Sequence, residues 1–234
     1  MSEGGGNIVE NGTVTVNNPN AIRAWRRAAR WIGWISSPSV TSYEDWDTIN
    51  QFENSDAAAF RRAWTSDYFL TNTGHTRNFG EMGTTSLPSG SQRSAGMLGG
   101  IGLAVPKKSR YAAEAIALIK FLVSKEAELL AERENAEPSP NEEYIRLPSI
   151  LKAYLRTRPL AHAGGGAFVS RPSAAGGANY EVISGAYSDA IHSVLVRKVD
   201  AAAAVASLES ELIRVTGFSK GSPRPAPQDL RSIQ

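Results

Sequence analysis

The longest helical pattern in the chain, from residue 110 to residue 135, places the strongest constraint on its fold. Ser109 can cap this helix, and Pro138 and Pro140 follow its end. Apolar residues recur on one face of the pattern, at Ile116, Ile119, Phe121, Leu122, Leu129 and Leu130. The pattern therefore predicts one long amphipathic helix.

The rest of the chain alternates between helical patterns and short strand patterns. Glu10-Asn11-Gly12 predicts a hairpin turn before the alternating residues 13–16, and Asn18-Pro19 predicts the start of a helix that ends near Gly33. Strands are predicted for the first half of 57–64 and for the glycine-rich stretch 97–106. Further helices are predicted at 43–54, 180–195 and 199–215. The chain is therefore expected to be a helix-rich α/β protein with few strands.

Composition excludes several classes of function. The 25 Lys and Arg residues nearly balance 23 Asp and Glu residues, which does not favour nucleic-acid binding. The absence of cysteine excludes disulfide scaffolds, cysteine-ligated zinc, iron–sulfur clusters and thiol nucleophiles. No stretch is long and apolar enough to span a membrane, and residues 1–6 carry no export signal.

The titratable residues show no catalytic or metal-binding pattern. His75, His162 and His192 lack metal-ligand spacing. Two acidic clusters, 44–47 and 142–143, lie at expected helix starts, where carboxylates favour the helix dipole. The chain has no nucleophile elbow, Walker loop or dinucleotide fingerprint. The sequence therefore predicts no catalytic residue, no metal and no cofactor.

The five tryptophans indicate more about a possible binding site than the titratable residues do. Trp25 and Trp31 interleave with an arginine run at 23–30, but the two residue types occupy different helical phases, which favours an aromatic core face and a solvated basic face. Trp64 ends an expected strand and precedes an aromatic, polar loop. At that place a tryptophan either packs in the core or offers a flat face to a sugar ring.

Read in order, four stretches resemble the C-terminal portion of bacterial ABC-transporter extracellular solute-binding proteins for sugars, the family of maltose- and trehalose-binding proteins. The stretches are Val9-Glu10-Asn11-Gly12-Thr13-Val14-Thr15-Val16-Asn17, Phe52 to Trp64, Leu87-Pro88 with Met97 to Lys107, and Ser170-Arg171-Pro172 with Tyr180. Together they cover about residues 5–216.

This resemblance implies a periplasmic-binding-protein-like fold of type II, in which two lobes close on a ligand. It implies that Trp64 stacks on sugar, that the backbone of Gly99 and Gly100 lies against the ligand, and that Arg171 donates hydrogen bonds to hydroxyls. It also implies a di- or oligosaccharide ligand, an ABC permease as partner, a monomer, and a periplasmic or cell-surface location.

The chain departs from the family pattern at three places. Ser55-Asp56 stands where the family has Gly-Lys, and Ile101 stands at a ligand-contacting position where several sugar binders have tryptophan. The family's first half has no counterpart, so the resemblance implies a truncated or partial chain. Its layout assigns residues 1–98 with 168–216 to the second lobe and 99–167 to an incomplete first lobe. Residues 217–234 hold Ser, Pro, Lys, Arg and Gln and few apolar groups, so they are expected to be a disordered tail.

Two alternatives to a binding protein stay open at this point. A carbohydrate-active hydrolase would need a pair of carboxylates, one with a raised pKa. A protein that kept the fold but serves interaction or regulation would need no ligand site at all. The sugar-binding interpretation also predicts that part of the apolar face of residues 110–135 is uncovered.

Overall fold

The structure, a computed structural model, describes residues 1–55, 58–64, 85–97, 99, 102–133 and 167–224. The chain divides into two compact units. Unit 1 comprises residues 1–46, 87–98 and 165–234, and unit 2 comprises residues 47–86 and 99–164. The lobe assignment made from the resemblance stays a prediction.

Helices dominate the described residues. The α-helices are α1 (Pro19–Trp31), α2 (Asp45–Glu53), α3 (Ala112–Leu122), α4 (Lys125–Arg133), α5 (Ser173–Gly176), α6 (Tyr180–Leu195) and α7 (Ala201–Thr216). Short 3₁₀ helices cover Pro38–Ser42 and Gly177–Asn179. The strands are β1 (Val9–Glu10), β2 (Thr13–Val14), β3 (Ala95–Met97), β4 (Ala167–Val169) and β5 (Ser219–Lys220).

A hairpin near the N-terminus starts the first sheet. β1 and β2 pair antiparallel, with Val9 opposite Val14. The turn between them uses positive φ at both Asn11 (47°) and Gly12 (74°), the geometry for which Asn-Gly is favoured. β5 then pairs with β2 in parallel, and β3 pairs with β4 in parallel as a separate sheet. The hairpin is therefore confirmed as predicted.

The main core lies in unit 1, where α1, α6 and α7 pack on one another and on the first sheet. Val9, Val14, Ile183, Val205 and Leu212 are fully buried there. Trp25 meets Tyr187 edge to face, with ring centroids 5.4 Å apart. Burial raises the pKa of the Tyr187 hydroxyl, and a hydrogen bond with Trp25 opposes that rise. The helices predicted at 180–195 and 199–215 thus form this core.

Buried carboxylates attach both ends of unit 1 to its helices. Glu209 on α7 accepts hydrogen bonds from Asn17 and from Lys220 of β5, each at 2.9 Å. Glu3 pairs with Arg27 and, at 3.8 Å, with Arg23 of α1. The prediction of disorder from residue 217 is therefore wrong for residues 217–224, because β5 pairs with β2 and Lys220 forms an ion pair with Glu209. Residues 225–234 lie outside the described residues.

Three other predictions need correction. Residues 58–64 form no strand, and Phe60 is 91% exposed. The glycine-rich stretch contributes only its start to β3, since the described residues 102–106 are not in a strand. The long helix is two helices, because α3 ends before Val123 and Ser124, and the Ser124 hydroxyl accepts a hydrogen bond from the Ala127 amide at the start of α4.

The apolar face of α3 is uncovered, as the sequence predicted. Its exposed large side chains are Ile116, Leu118, Phe121 and Leu122, and no residue of α3 is buried. Contiguous apolar surface of this kind promotes association in water.

We expect Leu118→Glu to weaken self-association of this chain about tenfold, because Leu118 is 57% exposed and a carboxylate there would have to be desolvated in any apolar contact. Sedimentation velocity over a concentration series measures the change. Lys120→Gln is the matched control, since it changes the charge by the same amount on the same helix and removes no apolar side chain. An equal effect of both variants would contradict an apolar origin.

Candidate functional site

Trp64 closes an irregular segment that follows α2 in unit 2. Residues 58–64 contribute to no helix or strand, and the Trp64 side chain is 38% exposed. The guanidinium carbon of Arg62 lies 5.6 Å from the centre of the Trp64 ring, within the range of a cation–π contact. The indole is thus held near the surface, partly exposed, with a cation over its ring.

Gly99 lies against the edge of the same ring. A methyl group added at Gly99 would lie 2.6 Å from Cζ3 and 3.0 Å from Cη2 of Trp64, closer than atoms tolerate. A side chain at residue 99 would therefore force the indole to shift from its present position. The sequence predicted ligand contact at Trp64 and at Gly99 separately, and the structure brings these two residues together. Gly100 and Ile101 lie outside the described residues.

A second arginine–aromatic contact lies in the same unit. The Arg61 guanidinium carbon lies 5.9 Å from the centre of the Phe52 ring. Two consecutive arginines shortly before Trp64, Arg61 and Arg62, therefore each contact an aromatic ring. The sequence analysis missed Arg62, although its position two residues before Trp64 is the spacing that places side chains on one side of an extended segment.

Arg171 lies in unit 1, between β4 and α5. It is exposed, and it makes no hydrogen bond or ion pair with the part of the chain that the structure describes. Its guanidinium is available to a ligand, since five fixed N–H donors suit hydroxyl groups. That Arg171 contacts a ligand stays a prediction.

Metal-binding clusters do not occur among the described residues. No group of three or more His, Cys, Asp or Glu side chains is assembled there to hold a metal ion. His192 lies exposed in the last turn of α6, and the acidic residues 44–47 lie at the start of α2. His75, His162 and the acidic pair 142–143 lie outside the described residues. No described helix is long and apolar enough to cross a membrane.

Comparisons with known proteins add independent findings. No family model matches the chain. It is 32% identical over 221 residues to a probable ABC transporter-binding protein of Deinococcus radiodurans, an alignment that covers 92% of this chain and 51% of that protein. It is similar to the solved structure of maltose-bound T. maritima MalE3, with a TM-score of 0.79 and 25% identity, over 91% of this chain and 55% of that one.

These similarities confirm the predicted resemblance and fold class. The chain is similar along nearly all of its length to an ABC transporter-binding protein, and its fold is periplasmic-binding-protein-like. It spans about half the length of the relatives it matches, 51% and 55% respectively.

Proposed function

We propose that this chain, as part of an ABC-transporter solute-binding protein, supplies carbohydrate contacts to the binding component of a sugar importer. The observation that carries the proposal is the exposed Trp64 ring held against the Gly99 backbone. The similarity to an ABC transporter-binding protein and to a maltose-bound structure gives that pair its context.

The geometry supports recognition by stacking and hydrogen bonding. The C–H groups of a pyranose ring lie flat on an indole face, and the desolvation of both surfaces favours contact. The cation–π contact with Arg62 stabilises the position of this ring, and the exposed part of the indole supplies the stacking surface. Gly100, Ile101 and Arg171 are proposed as further contacts with the same di- or oligosaccharide.

The proposed role is binding without a reaction. One relative is named a probable ABC transporter-binding protein and the similar structure is described as maltose-bound. The residues gathered at the site are a tryptophan, a glycine and an arginine. None of these side chains is a paired carboxylate of the kind that glycoside hydrolysis uses. In the complete protein, sugar would favour the closed form only by the difference between its affinities for the closed and open forms.

The partners and location follow from the same proposal. The closed, loaded protein would dock on the transmembrane permease of the importer, on the periplasmic or outer face of the cell membrane. The protein would act as a monomer, and nucleic acid has no part in this role.

Isothermal titration with maltose, trehalose and longer oligosaccharides tests the proposal. We expect saturable binding of at least one sugar, and we expect Trp64→Ala to weaken it about tenfold through loss of the stacking face. Trp46→Ala is the matched control, because Trp46 is also exposed, at 68%, and lies outside the proposed site. Absence of binding to every sugar by a chain shown to be folded, or an equal loss in both variants, would contradict the proposal.

A further inference from the structure

A rigid turn after α1 presents two large apolar side chains to solvent. Residues 31–36, here called the aromatic turn, are closed by a hydrogen bond from the Gly33 amide to the Ser36 carbonyl at 2.8 Å. The amides of Trp34, Ile35 and Ser36 all donate to the Trp31 carbonyl, and Gly33 supplies the positive φ that the bend requires. Trp34 is 80% exposed and Ile35 is 64% exposed.

This exposure is held in place by the fold. The Arg197 guanidinium donates to the Ile32 carbonyl at 3.1 Å, which joins the aromatic turn to the connection between α6 and α7. Arg26 of α1 reaches the same connection through Asp200 at 3.1 Å. Val199, in the same connection between α6 and α7, is 40% exposed and adds apolar surface there. Preorganisation of this kind lowers the entropy that a binding partner must remove.

The surroundings of the aromatic turn are strongly basic. Residues 26–36 and 196–200, the two segments joined by these contacts, contain the cations Arg26, Arg27, Arg30, Arg197 and Lys198 and the single carboxylate Asp200. Arg27 is paired with Glu3. The hydrogen bond from Arg26 lowers the pKa of Asp200 and keeps it ionised. Across the described ranges, Arg30 and Lys198 have no ion-pair partner. Unneutralised positive charge therefore surrounds the exposed indole, although the whole chain is nearly balanced.

We propose that the aromatic turn and its basic surroundings dock on an anionic lipid surface. Tryptophan is favoured at the boundary between headgroups and acyl chains, because its ring is apolar and its N–H is a donor. Basic residues around it are attracted to acidic headgroups. Trp34 and Ile35 are exposed at a turn, so they can enter a soft headgroup layer. Apolar insertion combined with charge is the pairing that peripheral membrane binding requires. This inference does not depend on the sugar-binding proposal.

Vesicle co-sedimentation of the purified chain tests the inference. Vesicles of equimolar phosphatidylglycerol and phosphatidylcholine are compared with vesicles of phosphatidylcholine alone. We expect about tenfold tighter binding to the anionic vesicles, a blue shift of tryptophan emission on binding, and weakening as salt is added. Equal binding to both vesicle types, or none to the anionic vesicles, would overturn the inference.

Two variants separate the apolar and basic contributions. Trp34→Ser combined with Ile35→Ser should lower affinity for the anionic vesicles at least about fivefold and remove the blue shift. Arg30→Glu combined with Lys198→Glu should lower binding to the level seen with phosphatidylcholine alone. Trp46→Ser, which removes another exposed tryptophan, should change nothing, and circular dichroism should show all variants folded.

Leu118→Glu distinguishes the aromatic turn from the exposed face of α3. If Leu118→Glu abolishes vesicle binding and the Trp34 and Ile35 changes do not, lipid contact occurs through α3 and the inference is wrong. If the anionic vesicles do not bind but a purified permease binds and the Trp34 and Ile35 changes prevent it, the surface serves a protein partner and the lipid inference is likewise overturned.

Discussion

Replacing Gly99 with alanine should weaken sugar binding about thirtyfold, a loss of about 2 kcal/mol typical of a disrupted aromatic contact. The added methyl would lie 2.6 Å from Cζ3 of Trp64, so the indole has to move. A displaced ring removes the stacking face and also occupies space beside it. The loss should therefore exceed that from Trp64→Ala, where the ring is simply absent.

The chain offers a close control for this experiment. A methyl group at Gly102 meets no atom within 4 Å, and Gly102 does not have positive φ. Gly102→Ala changes the same residue type three positions along the same segment, and we expect unchanged affinity. Titration calorimetry gives both affinities, and near-ultraviolet circular dichroism reports the environment of the indole. An altered indole spectrum with unchanged affinity in Gly99→Ala would contradict the role of Trp64 as a sugar platform.

Leu212→Ala should lower the free energy of unfolding of unit 1 by about 3–4 kcal/mol. Leu212 on α7 is fully buried and belongs to the core that includes Val14, Ile183 and Val205. Removing three carbon atoms, Cγ and both Cδ methyl groups, loses their burial and leaves a cavity that helices fixed by neighbouring contacts cannot close. This loss is a large part of the total free energy of unfolding of a domain, which is about 5–15 kcal/mol.

Urea denaturation followed by far-ultraviolet circular dichroism measures this effect. The midpoint should fall while the slope stays constant, since the same surface is exposed on unfolding. Ser210→Ala on the same helix is the control, because Ser210 is exposed and its hydroxyl only donates to the Ala206 carbonyl within the helix. We expect a change within about 0.5 kcal/mol for that variant. A loss below about 1 kcal/mol for Leu212→Ala would contradict a close-packed core at that position.

Elements with strong local signals were predicted closely. The Asn11-Gly12 turn has one favoured geometry, and Asn18 with Pro19 starts α1 as expected, its side chain accepting from the Ala21 amide. Helices α6 and α7 follow the apolar spacing of their sequences. Each of these features depends on residues within one or two turns of the chain, so one sequence contains enough to predict it.

The errors occurred where local pattern is ambiguous. A short apolar run fits a buried strand or an irregular segment equally well, and residues 58–64 are the latter. The interruption between α3 and α4 comes from Ser124, a cap residue inside an otherwise continuous helical pattern. The polar composition of residues 217–224 is typical of a disordered tail. The segment is ordered by contacts with β2, which is far away in the sequence, and with Glu209 of α7.

The candidate site shows the same division. Four motifs in order along the chain indicated the family resemblance, and that resemblance implied ligand contact at residues 64 and 99. Three contacts are seen only in the folded chain. The Gly99 backbone lies against the Trp64 ring, Arg62 lies over that ring, and Arg197 donates to the Ile32 carbonyl of the aromatic turn. Local backbone and side-chain preferences act over a few residues, whereas contacts such as Trp64 with Gly99 arise when packing closes long loops, and no short stretch of sequence encodes them.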